Sequence, residues 1–547
     1  MSKESKYQGW TPQQLIAKIE KLEKERYGLV WEDKEEDVAK RCDSELPLLK
    51  EDCAKEIVCD TSLPYNIIIE GDNYHSLYAL SFTHKKSIDV IYIDPPYNTG
   101  NNDFIYNDSY VDKTDQFRHS KWLSFMSKRL RLAKNLLSNN GLIFISIDDN
   151  EFAQLKLLCD SIFTEKNFVI DLIWNSRKSV SNDTIVSLNH NHTLIYAKNI
   201  DVIQQNKLNY RLRGSKEKFS NPDNDPRGEW TADPFDAPEI RKENLTYIIE
   251  NPNTGKKYLP PKGRHWRTTE DEYKKFLADG RIVFGKTGKA KPQLKRFYYE
   301  AEKKGVVSKS IWDDVGTTTN GTQELEKILG EKKFNNPKPV SFILKILELA
   351  SFKDSTILDF FAGSGTTGQA VIEMNRKDGG NRKFILCTNN ENNICTNVTY
   401  PRMKKVIEGY ADVSGIPANL KYYTQTFVPV ITSDNDKREL VNRSTEMLCV
   451  AEDCFEIVRD RNIHSDFSVF KNAKKQMAII YDEDSICECI DYLNENKSEQ
   501  ETIIYVFSYD HTYDAEDFEG LNIKFSVKPI PEAIINVYRK ISKMKKK

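Results

Sequence analysis

The chain alternates two hydrophobic rhythms. Short apolar runs bounded by turn residues recur at Asn66–Glu70, Val90–Ile93, Leu142–Ile147, His192–Ala197, Thr356–Leu358 and Lys383–Thr388. Runs of this length, with little polar alternation, read as strands buried on both faces. Longer stretches between them carry apolar residues at helical spacing. Trp122, Phe125, Met126, Leu130, Ala133 and Leu137 predict a helix over about 115–139, stopped at Asn140-Gly141. Val340–Leu349 and Thr367–Asn375 read as two more helices. Strand and helix in alternation predict an α/β fold on a parallel sheet. Leu15, Ile19 and Leu22 predict an isolated charged helix over 11–26. Near the other end, Gln476–Tyr481 and Thr502–Phe507 read as strands around a helix from Asp484 to Glu495, a small α/β module.

With 547 residues there is room for two or three domains. The pattern divides them into an N-terminal helical region (1–60), a first half of the main domain (61–205), an insertion (206–310), a second half (311–410) and a C-terminal module (411–547). Charge marks the insertion. Formal net charge is −2 overall, but residues 206–300 carry 21 Lys/Arg against 14 Asp/Glu, so the remainder is acidic. Lys286, Lys289, Lys291, Lys295 and Arg296 fall in one acid-free segment, with Trp230, Tyr258, Trp266, Phe297 and Tyr298 interleaved nearby. Such a surface would neutralise phosphates, with Arg, Asn or Gln on its loops reading base edges, and double-stranded DNA is its expected partner; a solvated basic face is the alternative. Gly280–Thr287 fits a phosphate-loop pattern, but a helical stretch precedes it where a buried strand should stand. The start of the chain is a charged helix without an apolar signal core, no run approaches a membrane span, and the ten cysteines form no Cys-x-x-Cys. A cytoplasmic protein with reduced thiols is expected. His190-x-His192 lies on a strand, but no neighbouring Cys, His or carboxylate pair in the sequence completes a metal set, so no metal is expected.

Two stretches carry chemistry. The run ending at Ile93 continues into Asp94-Pro95-Pro96-Tyr97. Proline ends the strand by removing the backbone donor. The four residues then sit at a strand's carboxyl end, where open α/β sheets bind ligands. Asp94 and the Pro95 carbonyl are acceptors, and Tyr97 is a flat face. Together they suit an exocyclic amino group on a planar base, whose lone pair becomes localised as its protons are held. A plain Pro-Pro turn after a buried strand explains the tetrapeptide equally well. The second stretch decides between them. Thr356-Ile357-Leu358-Asp359-Phe360-Phe361-Ala362-Gly363-Ser364-Gly365-Thr366-Thr367-Gly368 reads as strand, glycine loop and helix, which lets the backbone approach a ligand closely.

Taken together, these motifs resemble the amino-methyltransferases of DNA that use S-adenosylmethionine, whose signatures are Asp-Pro-Pro-Tyr and Phe-x-Gly-x-Gly. The catalytic motif precedes the cofactor motif, the order of the beta class. The resemblance is nearest to modification (Mod) subunits of type III restriction systems and runs from Tyr27-Gly28-Leu29-Val30-Trp31-Glu32 and Glu70-Gly71-Asp72-Asn73 to the C-terminal region. It implies a permuted Rossmann-like methyltransferase fold with a target-recognition insertion, adenine-N6 as the methylated atom in double-stranded DNA, base flipping, and Asp94, Pro95, Pro96 and Tyr97 as the catalytic set. S-adenosylmethionine is the implied cofactor. Asp72, Asp94, Lys338, Pro339, Asp359, Phe361, Gly363, Ser364, Gly365, Thr366, Thr367 and Glu391 are the implied residues around it. Asp72 reads equally as a cap on the following helix, and Pro339 as a helix-start residue. A homodimer and a separate restriction subunit are the implied partners. Cytosine-N4 transfer, RNA methylation and a recognition-only role remain open at this point.

Overall fold

The computed structural model describes the chain except residues 1–8, 25–28, 102, 108, 183, 215, 240–242, 286, 463–464, 510–511 and 546–547. Two compact units emerge: residues 1–205 with 309–547, and residues 206–308.

The first unit is built on a ten-stranded sheet. Its strands are β1 (Glu45–Glu51), β2 (Tyr65–Glu70), β3 (Ile88–Ile93), β4 (Leu137–Ile147), β5 (Phe168–Asn175), β6 (His190–Ala197), β7 (Ile311–Trp312), β8 (Thr356–Asp359), β9 (Lys383–Thr388) and β10 (Asn419–Pro429). They lie in the order β1-β10-β2-β9-β8-β3-β4-β6-β5-β7. The central run β10-β2-β9-β8-β3-β4 is parallel, as predicted. The flanks differ from prediction: β6 runs antiparallel to both β4 and β5, and β1 antiparallel to β10. β1 and β10 come from segments that the sequence pattern placed in the terminal regions. Neither has the uninterrupted apolar character of the central strands, since each lies nearer an edge and is wetted on part of its length.

Helices α1 (Asn73–Thr83), α2 (Arg118–Leu136) and α3 (Phe152–Phe163) pack together as one layer, and α4 (Thr318–Leu329), α5 (Val340–Ala350), α6 (Thr366–Asp378) and α7 (Tyr400–Glu408) as another. Alternation along β3 shows how the sheet serves both. Ile91 and Ile93 join the core formed with Leu77, Leu130 and Trp122 of the first layer. Tyr92 points the other way, to Phe342 of α5, whose ring also meets Trp174 and Trp312. Each large apolar side chain buried this way contributes roughly 1.5–3 kcal/mol.

The C-terminal part of this unit is a five-stranded sheet of β11 (Glu456–Arg459), β12 (Phe467–Lys471), β13 (Lys475–Ile480), β14 (Glu501–Phe507) and β15 (Phe525–Ile530), in that order. Helix Ile486–Glu495 links β13 to β14, which are parallel. The second unit has its own small core of Phe235, Ile249, Trp266, Tyr273, Ile282 and Phe284 under a three-stranded sheet.

One buried charge ties the first layer to the sheet edge. Arg129 of α2 is fully buried; it lies 2.7 Å from Glu36 and 3.4 Å from Asp72, bonds Asn73, and stacks on Phe125 at 3.6 Å. Replacing it (Arg129→Met) leaves Glu36 buried without its closest partner. Urea unfolding should show a loss of about 3 kcal/mol, and an unchanged midpoint would show that Lys128 alone neutralises Glu36.

Candidate active site

β8 and β3 are neighbours, with Ile357 opposite Val90 and Leu358 opposite Ile91. From this pair the sheet continues through β9 and β2 on one side and through β4 on the other. This is the switch point, outside whose carboxyl ends an open sheet forms its crevice. Asp94-Pro95-Pro96-Tyr97 leaves β3 there and Asp359–Thr367 leaves β8 there, so two motifs distant in sequence share one edge.

At the first loop Asp94 is clasped from two sides. Lys338 Nζ lies 2.5 Å from its Oδ2, and the Tyr97 hydroxyl donates to Oδ1 at 2.9 Å. The same hydroxyl accepts from Lys338 Nζ and from Asn191 Nδ2, each at 3.1 Å. Burial and the adjacent Asp94 charge hold the Tyr97 phenol well above its ordinary value, so it stays a donor. Trp122 Nε1 donates to the Pro96 carbonyl at 2.7 Å, fixing the turn. No donor among the described residues reaches the Pro95 carbonyl. Lys338 is thus set against Asp94.

The second loop is held from within. Asp359, almost fully buried, accepts from Thr367 Oγ1 at 2.5 Å and from the Phe361 amide at 3.0 Å. Burial, reinforced by Asp94, pushes its carboxyl up to about 7 against the pull of those two bonds. Gly363 and Gly365 have φ of +48° and +78°, the left-handed region that favours glycine. A Cβ on Gly363 would stand 3.1 Å from the Phe334 ring, so that ring packs closely against the loop at this glycine. Arg402 of α7, fully buried, bonds the Ser364 carbonyl, Ser364 Oγ and Thr366 Oγ1 at 2.8–3.2 Å. Thr366 Oγ1 also reaches the Lys338 carbonyl at 3.2 Å, joining the Lys338-Pro339 segment to the loop. The hydroxyls of Ser364, Thr366 and Thr367 therefore serve the loop's shape.

Asp72 ends the strand-to-helix turn after β2 and caps α1, accepting from the Tyr74 amide at 2.6 Å. Its neighbour Asn73 donates to the Phe360 carbonyl at 3.0 Å, so this turn abuts the glycine loop. Glu391 is exposed in a short turn past β9. Pro339 is the residue immediately before α5.

Two supports gave no sequence signal. Arg402 is one. The other is Glu151, fully buried, whose Oε1 accepts from Asn98 Nδ2 at 2.5 Å and lies 2.7 Å from His119 Nδ1. Asn98 directly follows Tyr97, so Glu151 anchors the far end of the Asp94–Tyr97 turn; burial raises its carboxyl. A lone Glu at the start of a helix and a lone Arg within one read as solvated, and only the packing reveals them as buried.

The basic segment of the second unit needs correction. Lys295 is buried, its ammonium close to Asp223 and 2.8 Å from Asp225, and is unavailable to phosphate. Lys291 pairs with Asp236 at 3.3 Å and Arg296 approaches Asp233 at 3.5 Å, both half exposed. Lys289 is exposed, and Lys286 lies outside the described residues. The acids come from a segment far away in sequence, so the acid-free run is not acid-free in space. The His190-x-His192 reading also changes: Asp149 and Asp171 both face His192.

A sequence profile described as DNA methylase, of the N6/N4 type, matches residues 88–399, more than half of the chain. The chain belongs to this DNA methylase family. The Mod subunit of the type III restriction-modification enzyme StyLTI, from Salmonella typhimurium, is 38% identical over 353 residues, covering 59% of this chain and 52% of that one. The EcoPI Mod subunit of Escherichia phage P1 is 33% identical over 429 residues, covering 68% and 64%. The type II methyltransferase M.KpnI of Klebsiella pneumoniae is 33% identical over 389 residues, covering 65% and 87%. The chain thus spans roughly half to two thirds of these two Mod subunits. The methylase match takes in both loops of the switch point and Lys338.

The raised Asp359 carboxyl makes a pH prediction for this methylase. Its folded value lies above the ordinary 3.8, so its contribution to stability is full below about pH 4 and is lost as pH rises through about 7. Asp359→Asn does not titrate. Wild-type stability minus that of the variant should fall by roughly 2–4 kcal/mol between pH 4 and pH 8. Urea unfolding at a series of pH values measures it, and a flat difference would mean an ordinary carboxyl.

Proposed function

We propose that the chain is a site-specific DNA methyltransferase that moves a methyl group from S-adenosylmethionine to adenine N6. The observation that carries this reading is the clasped Asp94 at the switch point, beside the glycine loop of the adjacent strand. The cofactor fits this loop: two left-handed glycines turn the chain from β8 into α6, a conformation that residues with a Cβ rarely adopt, and bring the helix start to the crevice. Gly363, Gly365, Phe361 and the Asp72 turn would hold it, with Glu391 beside them. When bound, it supplies a methyl group on a positively charged sulfur, a good leaving group that needs no metal.

The chain's own residues do the rest. An adenine amino group is out of reach inside a duplex, so the base must be flipped into the site. Tyr97 offers it a stacking face. Asp94 and the Pro95 carbonyl accept the two amino protons, which localises the nitrogen lone pair as it forms the new N–C bond. Lys338 offers Asp94 a cationic N–H donor in the meantime, keeping the carboxylate oriented. The incoming amine shares or takes that place. The proton lost from nitrogen passes toward Asp94 and solvent.

Adenine over cytosine rests on Asp at the first motif position. Kinship with proteins named as type III Mod subunits supports a restriction-modification role and a separate restriction subunit; self-association as a dimer is proposed with them. No helix among the described residues is long and apolar enough to cross a membrane, consistent with a cytoplasmic enzyme. The second unit is proposed as the target-recognition part, with Lys289, Lys291 and Arg296 as its candidate phosphate contacts.

Expression in a methylation-deficient bacterium, followed by sequencing that detects N6-methyladenine and N4-methylcytosine, tests the proposal. One enriched sequence bearing methyladenine is expected; methylcytosine, or no modified sequence from folded protein, rejects it. Asp94→Ala should lower transfer at least a thousandfold while cofactor binding by calorimetry changes little. Gly363→Arg should abolish that binding. Wild-type methylation by either variant would overturn the assigned role.

A further inference from the structure

We propose that His190, His192 and Asp149 form a binding site for a divalent transition-metal ion. The site is built by the sheet. His190 and His192 are alternate residues at the start of β6 and project from one face. Their rings stand edge-to-face, 5.0 Å apart. β6 runs antiparallel to β4 with His192 opposite Ile147. The turn after β4 therefore lies over the first residues of β6, and it carries Asp149.

The donor atoms of the three residues all lie within 4.8 Å of one another. His192 Nε2 and Asp149 Oδ1 are 3.5 Å apart. That is long for a hydrogen bond, which prefers about 2.7–3.2 Å. It suits two ligands of one ion: donors about 2.1 Å from a shared tetrahedral centre stand about 3.4 Å apart. The other face of the imidazole is already engaged. His192 Nδ1 lies 2.9 Å from Asp171 Oδ2, and a carboxylate on Nδ1 fixes the tautomer that turns the Nε2 lone pair outward. Metal-bound histidines are typically oriented in this way. Phe152 stacks on the ring at 4.0 Å and 25°, restricting its rotation.

Two imidazoles and one carboxylate favour Zn²⁺, Co²⁺ or Ni²⁺ over Mg²⁺ or Ca²⁺, which take oxygen ligands. Asp149 is half exposed, so the ion has an entry path and its remaining positions are open to water. Between the two histidines, Asn191 faces the opposite side of the strand and donates to Tyr97. The ion would thus brace the strand end that supports the catalytic turn.

The full chain titrated with Co²⁺ and followed by visible absorption tests the site, with Zn²⁺ calorimetry alongside. The expected result is one equivalent bound, with cobalt d–d bands and no thiolate charge-transfer band. His190→Ala and Asp149→Asn, both at accessible positions, should each weaken binding at least tenfold. Asp171→Asn should weaken it by roughly 10–100-fold with stoichiometry retained. Circular dichroism checks that each variant is folded. Three outcomes overturn the proposal: no saturable binding, binding unchanged in His190→Ala and Asp149→Asn, or a thiolate spectrum from one of the cysteines. In the first case His192 is simply an imidazolium held between Asp171 and Asp149. None of these outcomes bears on methyl transfer, which is read separately by sequencing.

Discussion

The parallel pairing of β3 with β8 is the constraint on which the site depends. It is short, with two residue pairs in register, yet it sets two loops side by side at the one edge where an open sheet leaves a crevice. The middle of β3 and of β8 carries no charged residue, so the chemistry on this pair is offered where the two strands end. Asp94, Asp359 and Asp72 each stand at the exit of a parallel strand. Their carboxylates are then sorted by what surrounds them: Asp94 faces Lys338, Asp72 caps a helix, and Asp359 is walled in with Thr367.

The loops are stiff before any ligand is considered. Trp122 and Glu151 pin the two ends of the catalytic turn, while Arg402 and Thr399 hold the glycine loop, Thr399 by a 2.6 Å bond to the Gly363 carbonyl. A site already ordered loses less freedom on binding, and its donors need not reorganise during reaction. Buried arginines of this sort are expensive to desolvate. Burial pulls the Arg402 guanidinium down to about 10, and the negative charges of Glu324 and Glu373 offset part of that pull.

Much of this was legible in the chain. The glycine loop, the Asp-Pro-Pro-Tyr turn and the central strands announce themselves through local chemistry: apolar runs, prolines, glycines. Lys383–Thr388 was readable to the residue, because a continuous apolar run ends in turn residues. What failed depended on distance in space. Lys295 looked like a phosphate contact until Asp223 and Asp225 came beside it. His192 looked partnerless because Asp149 and Asp171 lie on other strands and turns. Glu151, just before α3, and Arg402, within α7, stand where a charged residue is normally solvated, so no periodicity marks them. The antiparallel entry of β6 was hidden for a similar reason, since an apolar strand does not disclose its direction.

The same β3–β8 pairing has a consequence for synthesis. A ribosome adding about 5–20 residues per second needs roughly 15–50 s to travel from the catalytic turn to its partner strand. During that interval β3 can pair with β4, but its other edge has no β-strand to receive it. A bare edge flanked by Ile91, Tyr92 and Ile93 invites foreign strands. The nascent chain therefore holds the Asp94–Tyr97 turn on an unfinished sheet until residues 356–359 pair with β3.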